Sequence, residues 1–320
     1  MSQPQQHRTK VGVVGAGAVG ATLAFSLLQR GIAREVVLYD INRLKVEAEA
    51  LDMAHGLQFV AQAEVTGSDD VQALAGADVV LVTAGAKQRP GQSRLDLAQA
   101  TIDLTRTVLP QVQEVAPDAV YVMVTNPVDV VTYAALKISG LPPTRLFGSG
   151  TVLDSSRLRY LLAQRLDVAV RNVHAVMVGE HGDSEIPLWS SATVGGVPLE
   201  SWAATGGSGS LTAAEREAIA REVVGSAYKI IEGKGATSYA VALACTRIVE
   251  SVLRDERAVL PVSTLLDGDY GLDDVCLSVP TLVGREGAVA RLPVPLSPAE
   301  AEGLGASASS LRAVARSFGF

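Results

Sequence analysis

The stretch Val11–Gly20 reads VGVVGAGAVG, and it decides the fold. Its first four residues form an apolar run typical of a buried strand, and a helical pattern follows it as far as Gln29. Between them lies the pattern G-x-G-x-x-G. In that pattern Gly15 permits a tight turn, Gly17 lets the backbone approach a pyrophosphate, and Gly20 lets the helix pack closely on the strand. The free N–H groups at the start of such a helix attract phosphate. The stretch therefore predicts a dinucleotide-binding strand, turn and helix.

An acidic residue stands where such a site needs one. A second strand is predicted over Glu35–Tyr39, and Asp40 follows it, twenty residues after Gly20. A carboxylate there can accept hydrogen bonds from both ribose hydroxyls and would repel a 2′-phosphate, which favours NAD over NADP. Because strand, turn, helix and acidic residue are in register, we predict an NAD site rather than a tight turn alone.

The alternation of strand and helix continues through the first half of the chain. A helix is predicted over Arg43–His55, and short apolar strands are predicted over Val79–Thr83 and Val120–Val124. Continuous apolar strands alternating with helices indicate a parallel sheet covered on both faces. We therefore predict an α/β fold whose residues 8–150 form a Rossmann doubly wound parallel sheet.

The pattern changes after Gly150. We predict a helix over Leu153–Leu166, a strand over Val173–Val178 and a long helix through Arg221–Ile231, after a glycine-rich segment at Gly206–Gly209. Two prolines and a glycine pair indicate hairpins and loops; these are Pro187, Pro198 and Gly195–Gly196. We predict a catalytic α+β substrate domain over residues 151–320, joined to the first domain without a flexible linker.

Composition excludes several classes of protein. The 320 residues are 48% hydrophobic and 19% charged with a net charge of −7, so nothing favours nucleic acid or an acidic membrane as a partner. No apolar run approaches the roughly 20 residues of a membrane span. The polar start MSQPQQHRT lacks the apolar middle of a signal peptide and is predicted to be a disordered leader. Two cysteines, Cys245 and Cys276, fit reduced thiols, and we expect a cytoplasmic protein without a metal.

A proton carrier can be selected among the four histidines. His7 lies in the leader, His55 ends a helix and His174 lies in a predicted strand. His181 lies in the loop GEHGDSE after a strand, which is where α/β proteins form their sites. A histidine poised near neutral pH suits a proton transfer that accompanies hydride transfer. We select His181, while a surface loop histidine remains the alternative.

A histidine that acts as an acid needs a carboxylate to orient it. Asp154 is the candidate, because it opens the helix that follows Gly150, and Arg157 lies three residues on and faces the same way. A helix N-terminal aspartate that only pairs with Arg157 is the alternative.

Seven ordered blocks resemble the lactate and malate dehydrogenase family over essentially the whole chain. They are VGVVGAGAVG, LYDIN, TAGAKQRPGQSRLDL, VTNPVDVVTY, GSGTVLDSSRLRY, VGEHGDSE and GKGATSYA. The resemblance is strongest to the bacterial lactate dehydrogenases of that family. It implies reversible hydride transfer between NADH and pyruvate, giving L-lactate and NAD⁺, in a homo-oligomer that is a tetramer.

The resemblance also assigns roles to single residues. His181 would be the proton donor and acceptor, with Asp154 on its other ring nitrogen. Arg157 would clamp the substrate carboxylate with two parallel hydrogen bonds, and Arg94 would polarise the carbonyl. The remaining substrate contacts would be Gln88, Asn126 and Thr237, and the remaining cofactor contacts would be Val19, Gly85, Thr125 and again Asn126. Lys87–Asp96 would be a mobile loop whose closure brings in Arg94 and expels water.

Gln88, six residues before Arg94, is the position that separates the two branches of the family. Malate dehydrogenases resemble this chain but carry an arginine there for the second carboxylate of oxaloacetate. A closed pocket with glutamine would leave that carboxylate unpaired, so Gln88 favours pyruvate. A one-residue shift of the loop would offer Arg89 instead, and Gln92 stands where many lactate dehydrogenases have glutamate. Malate dehydrogenase and a catalytically silent NAD-binding protein remain the rival interpretations.

Arg159 and His174 match the positions that bind fructose 1,6-bisphosphate in allosterically activated bacterial members of the family. Arg159 lies five residues after Asp154, about 140° around the helix, so it cannot face the same site. The resemblance implies a regulatory polyanion site built by neighbouring subunits. A solvated arginine and a strand histidine without a ligand are the alternative.

Overall fold

The computed structural model describes residues 8–86, 94–205 and 211–320. Strands and helices alternate through the first half, as the sequence predicts. The elements are β1 (Lys10–Val14), α1 (Ala18–Gln29), β2 (Glu35–Tyr39), α2 (Arg43–His55), β3 (Glu64–Ser68), β4 (Val79–Val82), α3 (Arg94–Val115), β5 (Val120–Met123), α4 (Val128–Ser139) and β6 (Leu146–Gly148). Their strands are parallel, in the order β6-β5-β4-β1-β2-β3. The predicted Rossmann sheet is confirmed.

The second half contributes strands to the same sheet. Its elements are α5 (Val152–Leu166), β7 (Val173–His174), β8 (Met177–Val178), β9 (Ile186–Pro187), β10 (Thr193–Val194), β11 (Val197–Pro198), α6 (Ala213–Lys234), α7 (Tyr239–Leu253), β12 (Ala258–Asp267), β13 (Asp273–Gly284), β14 (Gly287–Arg291) and α8 (Pro298–Ser317). Strands β12, β13 and β14 run antiparallel, and Ser263 of β12 pairs with Gly148 of β6. The α/β class is confirmed, and within the described ranges one mixed nine-stranded sheet joins the two halves.

The predicted strand Val173–Val178 is wrong in one respect, because it is not continuous. Val173–Val178 forms two short strands rather than one: β7 pairs with β10, and β8 pairs with β9. Its buried side chains pack in two separate apolar clusters, with Val173 and Met177 in one and Val178 in the other. The Gly195–Gly196 pair makes the predicted hairpin between β10 and β11, with φ angles of +56° and +86° that suit glycine.

The last two residues of the predicted leader, Arg8 and Thr9, form hydrogen bonds with the rest of the fold. The Thr9 carbonyl accepts hydrogen bonds from the backbone of Arg34 and Glu35, and Arg8 pairs with Glu64. The rest of the leader, most of the predicted loop and the Gly206–Gly209 segment lie outside the described residues.

Apolar side chains pack on both faces of the sheet. One cluster joins β1, β2 and β4 to α1 and α7, and the other joins the opposite face to α3 and α4. Cys245 and Cys276 are buried and free. Among the described residues, no helix combines the length and apolarity needed to cross a membrane.

Candidate active site

The glycine turn has the geometry that a bound dinucleotide requires. Gly15 has a φ of +100°, and a Cβ there would lie 2.8 Å from the Ala84 nitrogen. A Cβ on Gly20 would lie 1.9 Å from the Gly15 oxygen, so the helix can approach the turn only with glycine at that position. Gly17 is exposed, and a Cβ there would meet no atom of the chain within 4 Å. The close approach at Gly17 is thus left for a ligand.

Asp40 lies at the same turn. Its Oδ2 accepts a hydrogen bond from the Ala16 amide at 2.8 Å, and its Oδ1 accepts one from the Asn42 amide at 2.9 Å. Each carboxylate oxygen keeps a lone pair, so Asp40 can still accept from ribose hydroxyls. Val19, in the first turn of α1, is half-buried against the core. Together with the glycine turn, this carboxylate fits NAD.

Three further predicted contacts lie at the carboxyl ends of neighbouring strands. The Thr125 hydroxyl donates to the Ala84 carbonyl at 2.8 Å, which ties the end of β5 to the end of β4. A Cβ on Gly85 would lie 2.2 Å from the Thr125 methyl, so these two segments need glycine to approach each other. Asn126 follows with an exposed side chain. The structure therefore brings Gly85, Thr125 and Asn126 together at one edge of the sheet.

His181, Asp154 and Arg157 form one connected group. His181 Nδ1 lies 2.5 Å from Asp154 Oδ2, and Arg157 Nη1 donates to Asp154 Oδ1 at 2.7 Å. The Asp154 side chain is 2% exposed, Arg157 13% and His181 22%, so the carboxylate is buried beneath two partly open cationic groups. The two functions considered for Asp154, a partner for His181 and an i,i+3 partner for Arg157, are both realised.

The junction of the two halves places these groups side by side. Gly150 has a φ of +55°, and a Cβ there would lie 2.5 Å from the Ser263 nitrogen, so α5 starts directly against β12. The Thr151 hydroxyl donates to the Met177 carbonyl at 2.6 Å, and Gly179 forms a bridge with Ser278 of β13. These contacts hold the first turn of α5 beside the loop that carries His181.

Charge distribution favours a protonated histidine. Burial lowers the pKa of His181, but the Asp154 carboxylate, through its charge and its hydrogen bond, outweighs burial and raises that pKa above its usual value. Burial alone would raise the pKa of Asp154, yet His181 and Arg157 lower it. The pair therefore favours an imidazolium next to a carboxylate, an arrangement suited to donating a proton.

Two buried carboxyl groups were missed by the sequence analysis. Asp129 of α4 accepts a hydrogen bond from the His181 amide at 2.6 Å, and burial raises its pKa to about 6. Glu185 is 7% exposed, and burial followed by repulsion from Asp154 raises its pKa to about 10. Asp129 lies in TNPVD and Glu185 in GEHGDSE, but neither block indicates from its letters alone that the carboxyl is buried.

The other predicted substrate contacts are partly described. Thr237 lies half-buried in the turn between α6 and α7. Gln88 and the side chain of Arg94 lie outside the described residues, although Arg94 begins α3.

Ligand atoms of Asp154, His181 and Glu185 lie within 4.8 Å of one another. Both Asp154 oxygens are already bonded to cationic partners, which is an arrangement for handling protons.

Arg159 and His174 lie away from this site and line one cavity. Its volume is about 400 Å³, and Arg171 and Arg247 also line it. The cavity lining contains no carboxylate among the described residues. Arg159 is held by a hydrogen bond from its Nε to the Ala175 carbonyl at 2.8 Å, and burial lowers its pKa. The separation of Arg159 from the Asp154 face of α5 agrees with the helical geometry.

Two family models match the chain. The model described as the NAD-binding domain of lactate/malate dehydrogenase matches residues 9–148. The model described as the α/β C-terminal domain of lactate/malate dehydrogenase matches residues 151–317. Together they cover nearly the whole chain.

Relatives and solved structures agree with these matches. The chain is 54% identical to an L-lactate dehydrogenase of Bifidobacterium animalis subsp. lactis, with 98% of each protein covered. It is 45% identical to an L-lactate dehydrogenase of a Thermoanaerobacter species, over 95% of this chain and 97% of the relative. A crystal structure of the minor L-lactate dehydrogenase of Enterococcus mundtii has a TM-score of 0.93 and 38% identity, over 97% of this chain and 98% of that one.

Proposed function

Because the chain belongs to the lactate/malate dehydrogenase family, we propose that it is an NAD-dependent L-lactate dehydrogenase that interconverts pyruvate and L-lactate. The observation that carries the proposal is the contact of His181 Nδ1 with Asp154 Oδ2 at 2.5 Å, with Arg157 on the other oxygen of Asp154. A protein that only binds NAD has no need for this buried set. The family relationship supports the cofactor, and the glycine turn with Asp40 fits it.

Each residue of the set has a task in that reaction. With Nδ1 engaged by Asp154, Nε2 of His181 is the nitrogen that remains to give its proton to the carbonyl oxygen of pyruvate. Asp154 stabilises the imidazolium before the transfer and keeps the neutral ring oriented after it. NADH, when bound, supplies the hydride to the carbonyl carbon. In lactate oxidation His181 takes the proton back.

Arg157 and the other substrate contacts would position the acid. Only one N–H of the Arg157 guanidinium is used by Asp154 Oδ1, so the fork retains donors for a bidentate pair with a substrate carboxylate. We propose Arg94, Asn126, Thr237 and Gln88 as the further contacts, with Arg94 delivered by closure of Lys87–Asp96. We also propose residues 8–150 and 151–320 as the cofactor and substrate domains.

Kinetics with two substrates test the choice of pyruvate. We expect kcat/KM with NADH to be larger for pyruvate than for oxaloacetate, and we expect Gln88→Arg to reverse that order. A wild-type preference for oxaloacetate would identify a malate dehydrogenase instead. An unchanged preference in the Gln88→Arg enzyme would show that another residue of the loop faces the substrate, and absence of NADH oxidation with any 2-oxo acid would favour a binding protein.

Fructose 1,6-bisphosphate is proposed as an allosteric activator that binds between subunits. The support is the cavity that Arg159 and His174 line together with two more arginines and without a carboxylate. A polyanion there would bind these cationic side chains and favour one quaternary state. Fructose 1,6-bisphosphate should lower the KM for pyruvate at neutral pH and low ionic strength, and Arg159→Gln should weaken that response. A saturation curve that the sugar phosphate leaves unchanged would exclude the site.

A homotetramer in the cytoplasm completes the proposal. Large apolar side chains are exposed on several elements, and exposed apolar area is typical of subunit interfaces. They are Ile41, Leu44, Leu51 and Phe59 on or beside α2, and Ile231, Tyr239 and Leu243 on α6 and α7. The free cysteines agree with a reducing compartment. Sedimentation equilibrium would give a mass near four chains, and a monomer at micromolar concentration would contradict the assembly.

A further inference from the structure

Glu185 is a buried acid that the mechanism above does not use. It lies at the end of the His181 loop, just before β9, and is 7% exposed. One of its carboxyl oxygens lies within 4.8 Å of both an Asp154 oxygen and a His181 ring nitrogen. Its Oε2 is fully buried and receives no N–H or hydroxyl hydrogen bond from any residue in the described ranges. A carboxylate in that position would lack the donors that a buried charge needs.

Asp154, a second carboxyl group, lies close to Glu185. Asp154 is committed to its ionised form, because His181 and Arg157 both bond to it. Two carboxylates this close in a site of low polarity do not both ionise, and the one without cationic partners keeps its proton. A protonated Glu185 can donate that proton to Asp154 as a hydrogen bond.

From this geometry we propose that Glu185 is a positioning residue, which remains protonated at neutral pH and donates a hydrogen bond to Asp154. It thereby orients the carboxylate that holds His181 without adding a charge to the site. The inference rests on the proposed function for its kinetic consequences but not for the protonation state itself. The direction of the pKa shift at Glu185 agrees with it.

The charge balance of the site supports a neutral Glu185. The charged and titratable groups facing it are Asp154 and Arg157 of α5, His181 of its own loop and Asp129 of α4. Two carboxylates then balance one guanidinium and one imidazolium. A third carboxylate would hold the proton of His181 more tightly and would oppose its transfer to substrate.

Infrared spectroscopy tests the protonation directly. The full-length wild-type protein at neutral pH should show the C=O stretch of a protonated carboxylic acid, and Glu185→Gln should remove that band from the difference spectrum. Glu180→Gln, a change of the same type in the same loop, should leave the band in place. This measurement needs no substrate, so it remains valid even if the protein does not reduce pyruvate.

Kinetics test the positioning role. Glutamine is neutral and can donate to Asp154, whereas leucine cannot. We expect Glu185→Leu to lower kcat for pyruvate reduction about 10- to 100-fold with little change in KM, which is the size of effect seen for residues that orient a metal ligand. Glu185→Gln should restore most of that loss and keep the midpoint of the pH profile where the wild type has it.

Three results would overturn the proposal. One is an infrared spectrum in which Glu185→Gln removes no carboxylic acid band. Another is a midpoint that Glu185→Gln lowers by about one unit or more, because that shift would mean that a negative charge had been removed near His181. The third is one equivalent of a divalent cation per chain in the purified protein, since a metal bound by Asp154, His181 and Glu185 requires an ionised Glu185. If Glu185→Leu does not fold, the glutamine variant and the spectrum still decide the question.

Discussion

Replacing Asp154 with asparagine removes the charge that supports His181 while keeping the size of the side chain. Asp154 Oδ2 lies 2.5 Å from His181 Nδ1, and two unit charges at that separation interact by about 7 kcal/mol at an effective dielectric constant of about 20. Burial of the ring opposes protonation and offsets part of that attraction. Because burial of the ring is the same in Asp154→Asn and the attraction is lost, the pKa of His181 falls in that variant.

The sign of the pH effect follows from the raised pKa of His181. Pyruvate reduction needs the imidazolium, so activity is present below the pKa of His181 and is lost as the pH rises through it. Asp154→Asn should move that loss to lower pH. Above the wild-type pKa of His181, each unit of that displacement lowers the protonated fraction, and with it kcat/KM for pyruvate, about tenfold.

The assay is NADH oxidation followed by absorbance across a pH series at several pyruvate concentrations. Asp103→Asn is the matched control, because Asp103 forms an exposed ion pair with Arg106 on α3. Binding of NADH, followed by its fluorescence, should be unchanged in both variants. An Asp154→Asn enzyme whose pH profile has the wild-type midpoint would refute the electrostatic role given to Asp154.

Two further predictions concern Asp129 and the glycine turn. Burial raises the pKa of Asp129 from 3.8 to about 6, so the stability that its protonated form contributes is full below pH 3.8 and is lost as the pH rises through 6. Asp129→Asn should therefore stabilise the fold by up to about 3 kcal/mol near pH 7 and by less near pH 4. Urea unfolding at the two pH values measures this, and an equal gain at both would contradict it. Gly20→Ala should destabilise the fold, because its Cβ would lie 1.9 Å from the Gly15 oxygen. Gly17→Ala should have the melting temperature of the wild type and a lower affinity for NADH in a fluorescence titration. Equal melting temperatures for the two variants would show that the turn can relax.

The first half of the fold was predictable because its signals are local. β1, β2, β4 and β5 are continuous apolar runs, and the glycine turn requires that a helix begin directly after β1. β3 was missed because EVTGS is only partly buried and lies at the edge of the sheet, where polar residues are tolerated. The place of β12 was beyond local reasoning, since it depends on the pairing of Ser263 with Gly148 across more than one hundred residues of sequence.

The site was predictable where a residue type implies a task. His181 was selected by elimination and Asp154 by the need for an orienting carboxylate, and the structure brings them together. Asp129 was missed because it lies on α4, where every residue from Val128 to Leu136 is buried, and an apolar run around an acid does not say what the acid contacts. Glu185 was missed because its protonation depends on its distance from Asp154, which the sequence does not give.

Asp154 is shared by two cationic groups, and this sharing links substrate binding to protonation. Its Oδ1 accepts from Arg157 and its Oδ2 contacts His181. A substrate carboxylate that draws Arg157 toward itself weakens the ion pair of Arg157 with Asp154. The Asp154 carboxylate then stabilises the imidazolium of His181 more strongly. The coupling is reciprocal, so a protonated His181 must also favour the substrate.

The dissociation constant of a non-reducible pyruvate analogue in the presence of NADH should therefore rise as the pH increases through the pKa of His181. A hydrogen bond from the protonated His181 to the ligand contributes to the same trend. In Asp154→Asn the analogue should bind with a pH dependence displaced to lower pH, because the proton is then held by the ring alone. An analogue affinity that is constant across the wild-type transition would mean that Asp154 serves the two cations independently, and that the buried carboxylate fixes their positions without communicating charge between them.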